Sequence, residues 1–191
     1  MANKIKYNLK NTHYAKITVE TDGTVTYATP VPIPGSVSIA LDAQGDITKF
    51  YADGITYYQA SANNGYEGDL EIALVPESFR TDILGEVLDA KKVLIENSEV
   101  TGSSFALLFE FTGDEKAIRH VLYNCVSTRP SLESQTKEDT ITPGTETLTI
   151  SATPLPNGDV KAKSGNETDP TAYSGWYGAV YKRTAEAPTE G

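Results

Sequence analysis

A period of two dominates the hydrophobic pattern of this chain of 191 residues. Apolar and polar residues alternate over residues 36–42, 69–74 and 147–152. Because successive side chains of a β-strand point to opposite faces of a sheet, this alternation predicts strands with one buried and one solvated face. The turn signal Asp53-Gly54 lies between two shorter apolar segments and predicts a hairpin. The chain is therefore expected to be mainly β, with antiparallel pairing.

Other segments refine this picture. Residues 105–112 carry large apolar side chains on one face and remain partly apolar on the other, and residues 117–127 are apolar on both faces. Such strands are typical of the centre of a sheet. Residues 76–84 have apolar side chains four positions apart, with proline at the start and glycine just after the end, which predicts one short flanking helix. Residues 170–181 predict a second helix, which two glycines weaken.

The length suffices for one domain with a buried core. We expect the β domain to span residues 13–182 and to include a hairpin over residues 43–66. The first residues, 1–12, are expected to form an extended arm, and residues 183–191 a flexible tail. Both terminal segments would order only against a partner.

Composition excludes several classes of function. The formal net charge is −10, which argues against binding nucleic acid by neutralising phosphates and against an anionic membrane surface. The single cysteine, Cys125, excludes a disulfide framework within the chain and a cysteine-based zinc cluster. No window approaches the 18 apolar residues of a membrane span. We therefore expect no cofactor, no metal and no membrane partner.

Catalytic chemistry has weak candidates. His13, His120 and Cys125 have no nucleophile or base beside them in the pattern, so we interpret them as structural residues. Asp69 and Glu71 lie two positions apart on a strand and could be a glycosidase pair of carboxylates, but a solvated strand face produces the same spacing. We therefore expect a protein that is not an enzyme.

The aromatic residues give more information about possible interaction surfaces than the acidic residues do. They cluster around the predicted hairpin at Asp53-Gly54 and near the C-terminus, and both clusters combine apolar rings with polar tips. Three interpretations are open: a protein interface, an ordinary core and stacking on a carbohydrate. The clustered residues are Tyr51, Tyr57, Tyr58, Tyr66, Tyr173, Trp176, Tyr177 and Tyr181.

A series of short motifs, read in order, resembles one protein family. The motifs are KNTHYA (10–15), PGSVSI (34–39), FYADG (50–54), NGYEGDLE (64–71), residues 76–85, FALLFEF (105–111), GD (113–114), RHVLYNC (119–125), RP (129–130) and residues 176–181. Their order and spacing resemble the major tail proteins, or tail tube proteins, of siphophages that infect Gram-positive bacteria. Each motif alone is weakly specific, and the resemblance covers about residues 10–181.

This resemblance implies an antiparallel β-sandwich or barrel of the tail-tube type with a flanking helix. It implies a structural virion protein, assembled in the host cytoplasm, whose hexameric rings stack into the hollow tail tube that delivers phage DNA. The implied partners are further copies of the chain, the tape-measure protein, and the tail terminator and distal tail proteins. DNA would pass through without specific binding, and neither catalysis nor a cofactor is implied. The alternative function is a carbohydrate-binding or adhesin-like β-sandwich module.

Two hypotheses about surfaces follow from combining the pattern with the resemblance. The first hypothesis is that the polar strand faces line the tube lumen, where repeated carboxylates would repel phosphate; the alternative is that they face outward. The residues are Ser36, Ser38, Asp42, Asp69, Glu71 and Glu110. The aromatic clusters are expected to join subunits and stacked rings; the residues are Tyr51, Asp53, Gly54, Tyr57, Tyr58, Tyr66, Trp176 and Tyr181.

Overall fold

The structure, a computed structural model, describes residues 3–20, 24–136 and 143–184. The strands are β1 (Lys6–Val19), β2 (Val25–Tyr27), β3 (Val31–Pro32), β4 (Ser36–Gln44), β5 (Ile47–Ala52), β6 (Ile55–Ser61), β7 (Gly65–Ile72), β8 (Val87–Leu88), β9 (Leu94–Ile95), β10 (Phe105–Gly113), β11 (Ile118–Ser127), β12 (Glu146–Ala152) and β13 (Lys161–Lys163). The helical elements are α1 (Glu77–Phe79), a π-helical turn (Arg80–Leu84) and α2 (Pro170–Ser174).

Among the described residues, nine strands form one antiparallel sheet in the order β2-β1-β10-β11-β12-β7-β4, with β3 paired to β1 and β13 to β11. Two hairpins, β5–β6 and β8–β9, pair only within themselves. The mainly β, antiparallel fold that the alternation predicted is confirmed.

The central strand β10 is buried on both faces, as its sequence predicted. Phe105 and Leu107 belong to the main apolar cluster, which also takes side chains from β1, β7, β11 and β12. Ala106 and Leu108 point the other way, into a second cluster that the C-terminal segment covers with Trp176. The neighbouring strand β11 also contributes to both clusters, so its predicted central position is confirmed.

The predicted helix over residues 76–84 is confirmed, although its second half has π-helical hydrogen bonding. Phe79 fixes it to the core through edge-to-face contacts with Tyr14 and Phe105, at ring-centre distances of 5.1 and 5.3 Å. Arg80 holds it from outside, with ion pairs to Glu86 at 3.1 Å and to Glu146 of β12 at 2.8 Å.

The predicted N-terminal arm over residues 1–12 is wrong from Lys6 onward, because β1 starts there and pairs with β10. Asn8 and Asn11 have positive φ angles, 54° and 51°, and they lie at register shifts in this pairing. Each irregularity interrupts the period of two, and this is why the sequence pattern did not reveal the strand. Residues 1–2 of the predicted arm lie outside the described residues.

The C-terminal predictions also need correction. Helix α2 stops at Ser174, since the backbone turns at Gly175 instead of continuing to residue 181. Arg183, placed in the predicted flexible tail, forms an ion pair with Asp159. The remainder of that tail, residues 185–191, lies outside the described residues.

Replacing Phe79 should test how the helical segment is held. Phe79→Ala removes a ring that is 0 % exposed, and we expect the free energy of unfolding to fall by about 3–5 kcal/mol. Leu132→Ala is the control, because Leu132 is 90 % exposed and should change it by less than about 0.5 kcal/mol. Urea unfolding followed by tryptophan fluorescence measures both. Equal effects of the two substitutions would contradict this packing.

Candidate functional site

A polar face covers one side of β4, β7 and β12. The register places a central row of carboxylates on β7 between a row from β4 and a row of hydroxyls from β12. The central row is Glu67, Asp69 and Glu71; beside it lie Asp42, Ala40 and Ser38 on β4, and Ser151, Thr149 and Thr147 on β12. Ser38, Asp42, Asp69 and Glu71, four of the residues predicted to share a polar surface, are therefore brought together.

Hydroxyl groups hold two of these carboxylates in place. Glu71 accepts hydrogen bonds from the hydroxyls of Thr145 at 2.7 Å and Ser38 at 2.9 Å. Asp69 accepts one from Thr149 at 2.9 Å. The hydrogen bond from Thr145, and then that from Ser38, lower the pKa of Glu71 below the ordinary value of a glutamate. Glu71 is therefore ionised throughout the neutral pH range and is unsuited to donate a proton as the general acid of a glycosidase.

Ser36 does not join this face. A register shift at Val37 places Ser36 opposite Ile72, whose side chain is buried in the core, while Ser38 lies opposite Glu71. The simple alternation used in the prediction fails there because the bulge adds one residue between the two serines.

Glu110 does not join it either, because its side chain lies under the C-terminal segment and the residue is only 7 % exposed. It forms an ion pair with Arg119 at 3.1 Å and accepts hydrogen bonds from Asn11 at 2.7 Å and Tyr177 at 3.2 Å. Burial, and then the charge of Glu110, raise the pKa of the Tyr177 hydroxyl. Glu110 is thus a paired structural carboxylate and not part of an open acidic surface.

The β5–β6 hairpin forms a second surface, which exposes large apolar side chains to solvent. Its large apolar side chains are between 59 and 70 % exposed: Ile47, Phe50, Tyr51, Ile55, Tyr57 and Tyr58. The turn at its tip is formed by Asp53 and Gly54, with φ angles of 52° and 76°. Positive φ at both central residues is typical of the type I′ turns that join tightly paired strands. The predicted hairpin and the exposure of its tyrosines are both present.

The hairpin continues the main sheet outward. Backbone hydrogen bonds of 2.9 Å, from Asn64 to Gln44 and from Ala62 to Asp46, extend the ladder of β4 and β7 into it. At Gly45 the strands approach so closely that an added Cβ would lie 2.1 Å from the carbonyl oxygen of Ala62. The direction of the hairpin is therefore set at its base, while its apolar side chains are left in solvent.

The other aromatic residues predicted to join subunits are packed within the chain. Trp176 is 2 % exposed, donates a hydrogen bond from Nε1 to the carbonyl oxygen of His120 at 3.3 Å, and stacks on Tyr181 at 5.5 Å. Tyr66 is partly buried against the main core, with Lys161 over its ring. These three residues fit the core interpretation of the aromatics: Trp176 and Tyr181 because the C-terminal segment folds back onto the sheet, and Tyr66 because it packs on the main core from β7.

The two histidines and the cysteine occupy packed positions. His120 stacks on Phe109 at 5.1 Å, and burial followed by the charges of Lys161 and Lys163 lowers its pKa to about 4. His13 lies against Tyr177 at 4.7 Å. Burial raises the pKa of the Cys125 thiol to about 12, which leaves it protonated and unreactive.

In residues 3–20, 24–136 and 143–184, no cluster of three or more His, Cys, Asp or Glu side chains is arranged to hold a metal ion. Over the same part of the chain, none of the helices has the length and apolar character needed to cross a membrane.

Sequence reasoning missed the hydroxyl row of β12 as part of the polar face. Its signal was present, since Thr147, Thr149 and Ser151 alternate with apolar residues. Only the pairing of β12 with β7 shows that these hydroxyls flank the carboxylates.

No protein-family model and no curated protein sequence matches the chain.

The hydrogen bonds at Glu71 predict a measurable titration. In Thr145→Val, the pKa of Glu71 should move up toward the ordinary glutamate value, because the strongest stabilisation of its carboxylate is lost. A carboxyl group whose pKa is lower in the folded than in the unfolded chain stabilises the fold at pH values above its unfolded pKa. This stabilisation is lost as the pH falls through the folded pKa. Carboxyl-detected NMR titration measures the shift. Thr149→Val, which affects Asp69, is the control, and an unchanged Glu71 in Thr145→Val would contradict the assignment.

Proposed function

We propose that this chain is a structural subunit that assembles with copies of itself into hexameric rings, stacked as the tail tube through which phage DNA is delivered. The observation that carries this proposal is the β5–β6 hairpin, which is fixed at its base and exposes a dense set of apolar and aromatic side chains. The motif series that resembles siphophage tail tube proteins supports stacked hexameric rings as the form of the assembly.

Physical chemistry favours a protein partner for this hairpin. A two-stranded hairpin is marginally stable by itself in water, and a contiguous apolar surface is typical of interaction sites. Tyrosine and phenylalanine are enriched in such sites because their rings bury much area with few rotatable bonds. Each Å² of apolar area covered on assembly would contribute about 25 cal/mol.

Closure into a ring would also protect the edges of the sheet. Strand β4 ends the sheet order on one side and has β7 as its neighbour on the other. Exposed edges of this kind invite pairing with other chains, and a closed ring of subunits removes them.

The acidic face supports a role as the lumen surface in this proposal. Repeated around a ring, the carboxylates of β7 and the flanking hydroxyls would form a hydrated, negatively charged wall. Phosphate groups are repelled by such a wall, so DNA would pass without adhering. In this account the protein has no catalytic role and resides in the virion tail, with the tape-measure protein inside the tube and the tail terminator and distal tail proteins at its ends.

Electron microscopy of the purified chain over a range of concentrations tests the proposal. Rings or tubes should form, and sedimentation velocity should show that they grow with concentration. A carbohydrate-binding module would instead remain a monomer at all concentrations and gain thermal stability from sugars. That combination would overturn the proposal.

Removing aromatic surface from the hairpin should weaken assembly. Tyr57→Ser combined with Tyr58→Ser eliminates two rings that are 70 and 61 % exposed, so the fold of the free subunit should change little. We expect the concentration needed for assembly to rise at least about tenfold, equivalent to about 1.4 kcal/mol. Tyr7→Ser is the matched control, because Tyr7 is 52 % exposed but lies outside the hairpin. Assembly at the same concentration as the unaltered chain would count against the hairpin.

Neutralising the lumen surface should affect DNA delivery and leave assembly intact. Asp69→Asn combined with Glu71→Gln removes two negative charges from the polar face, and tubes should form as before. Phage particles built from this variant should release DNA more slowly, as followed by DNA-dye fluorescence after receptor addition. Glu77→Gln combined with Glu99→Gln removes the same charge elsewhere and should have no effect. Normal release from the first variant would sink the lumen assignment.

A further inference from the structure

The two hairpins leave the main sheet at opposite ends of its strands. The β5–β6 hairpin connects the end of β4, at Gln44, to the beginning of β7, at Gly65. The segment that contains β8–β9 connects the far end of β7, at Ile72, to the beginning of β10 at Phe105. This segment starts beside the end of β7, because Arg80 pairs with Glu146, which lies opposite Ile72, and also with Glu86, which directly precedes β8.

An ion pair confirms the position of the second hairpin. Glu96, directly after β9, contacts Arg129 at 2.9 Å, and Arg129 follows the last residues of β11. β11 runs parallel to β7, and its last residue, Ser127, lies level with Gly68, so Arg129 lies beyond that level in the direction of Ile72. The two hairpins therefore leave the sheet toward opposite ends, or poles, of β7.

The β8–β9 hairpin also exposes apolar side chains. Val87 lies opposite Ile95 in the pairing, and these two residues are 61 and 49 % exposed. Val93, at the start of the returning strand, is 53 % exposed. These three side chains form a small apolar surface that is open to solvent in the single chain.

The tips of the two hairpins carry opposite charges. Lys91 and Lys92 are exposed in the turn of β8–β9. The carboxylate of Asp89 in the same turn accepts hydrogen bonds from the backbone N–H groups of Lys91 and Val93, at 2.7 and 2.9 Å. At the other pole, Asp53 is exposed in the turn of β5–β6. The acidic tip of one hairpin and the basic tip of the other are thus complementary in charge.

We infer that the β8–β9 hairpin of one copy is the docking surface for the β5–β6 hairpin of the next copy along the tube. This inference rests on the proposed function and identifies the second half of its stacking contact. A contact between two different surfaces of identical subunits is heterologous, so it repeats without closing and builds an open filament. The tube consequently has one end that presents acidic aromatic hairpins and another that presents basic aliphatic ones.

Disulfide trapping tests the contact directly. Ile55→Cys and Val93→Cys place one thiol at each pole, and the native Cys125 is 0 % exposed and does not compete. Under mild oxidation of assembled protein, the double variant should give a ladder of covalent oligomers on a non-reducing gel. Each single variant should remain a monomer. Dimers of Ile55→Cys alone would show that like hairpins meet each other, and this would overturn the inference.

Charge exchange provides an independent readout. Asp53→Lys should raise the assembly concentration at least about threefold, and Lys91→Glu with Lys92→Glu should do the same, because each places like charges at the contact. A variant that combines all three substitutions restores opposite charges and should return to within about twofold of the unaltered chain.

The outcomes separate the two proposals. Tubes seen by electron microscopy without a ladder and without charge rescue would overturn the docking contact while the proposed function stands. A chain that never assembles would overturn both.

Discussion

The antiparallel pairing of β7 with β4 and β12 links the core, the acidic face and the exposed hairpin of this chain. On one face of β7, Leu70 and Ile72 are fully buried in the core. On the other face, the same strand carries the row of carboxylates. The ladder between β4 and β7 then continues beyond the core into the β5–β6 hairpin. A shift of one residue in this register would exchange the core and acidic faces, so the core specifies where the charges lie.

The acidic face and the exposed hairpin have opposite effects on association of the free chain: the first favours repulsion and the second favours attraction. Carboxylates arranged in rows repel one another, and the hydroxyls of Ser38, Thr145 and Thr149 offset this by donating hydrogen bonds. The apolar hairpin increases the risk of non-specific association. In the proposed assembly, a net charge of −10 would counteract that risk by keeping free subunits apart until the docking surfaces meet. In this account, solubility before assembly and a non-adhesive lumen after it use the same acidic residues.

Local pattern was sufficient to predict much of the fold. Alternation identified β4, β7 and β12, the two-sided apolar pattern identified β10 and β11, and the Asp53-Gly54 turn identified the protruding hairpin. Prediction failed where one residue changes the register or where a distant segment decides burial. The bulge at Val37 removed Ser36 from the polar face, and the returning C-terminal segment buried Glu110 and Trp176. Neither effect has a local signature, because both depend on which segments meet in the folded chain.

Hydrogen exchange of the free subunit and of the assembled form tests the central claim most directly, namely that another copy completes the β5–β6 hairpin. In the free subunit, amides of residues 47–61 should exchange far faster than those of β10, since the hairpin has no core beneath it. On assembly, the hairpin amides should become protected while those of β10 stay as they were. Equal exchange of residues 47–61 in both forms would contradict the account.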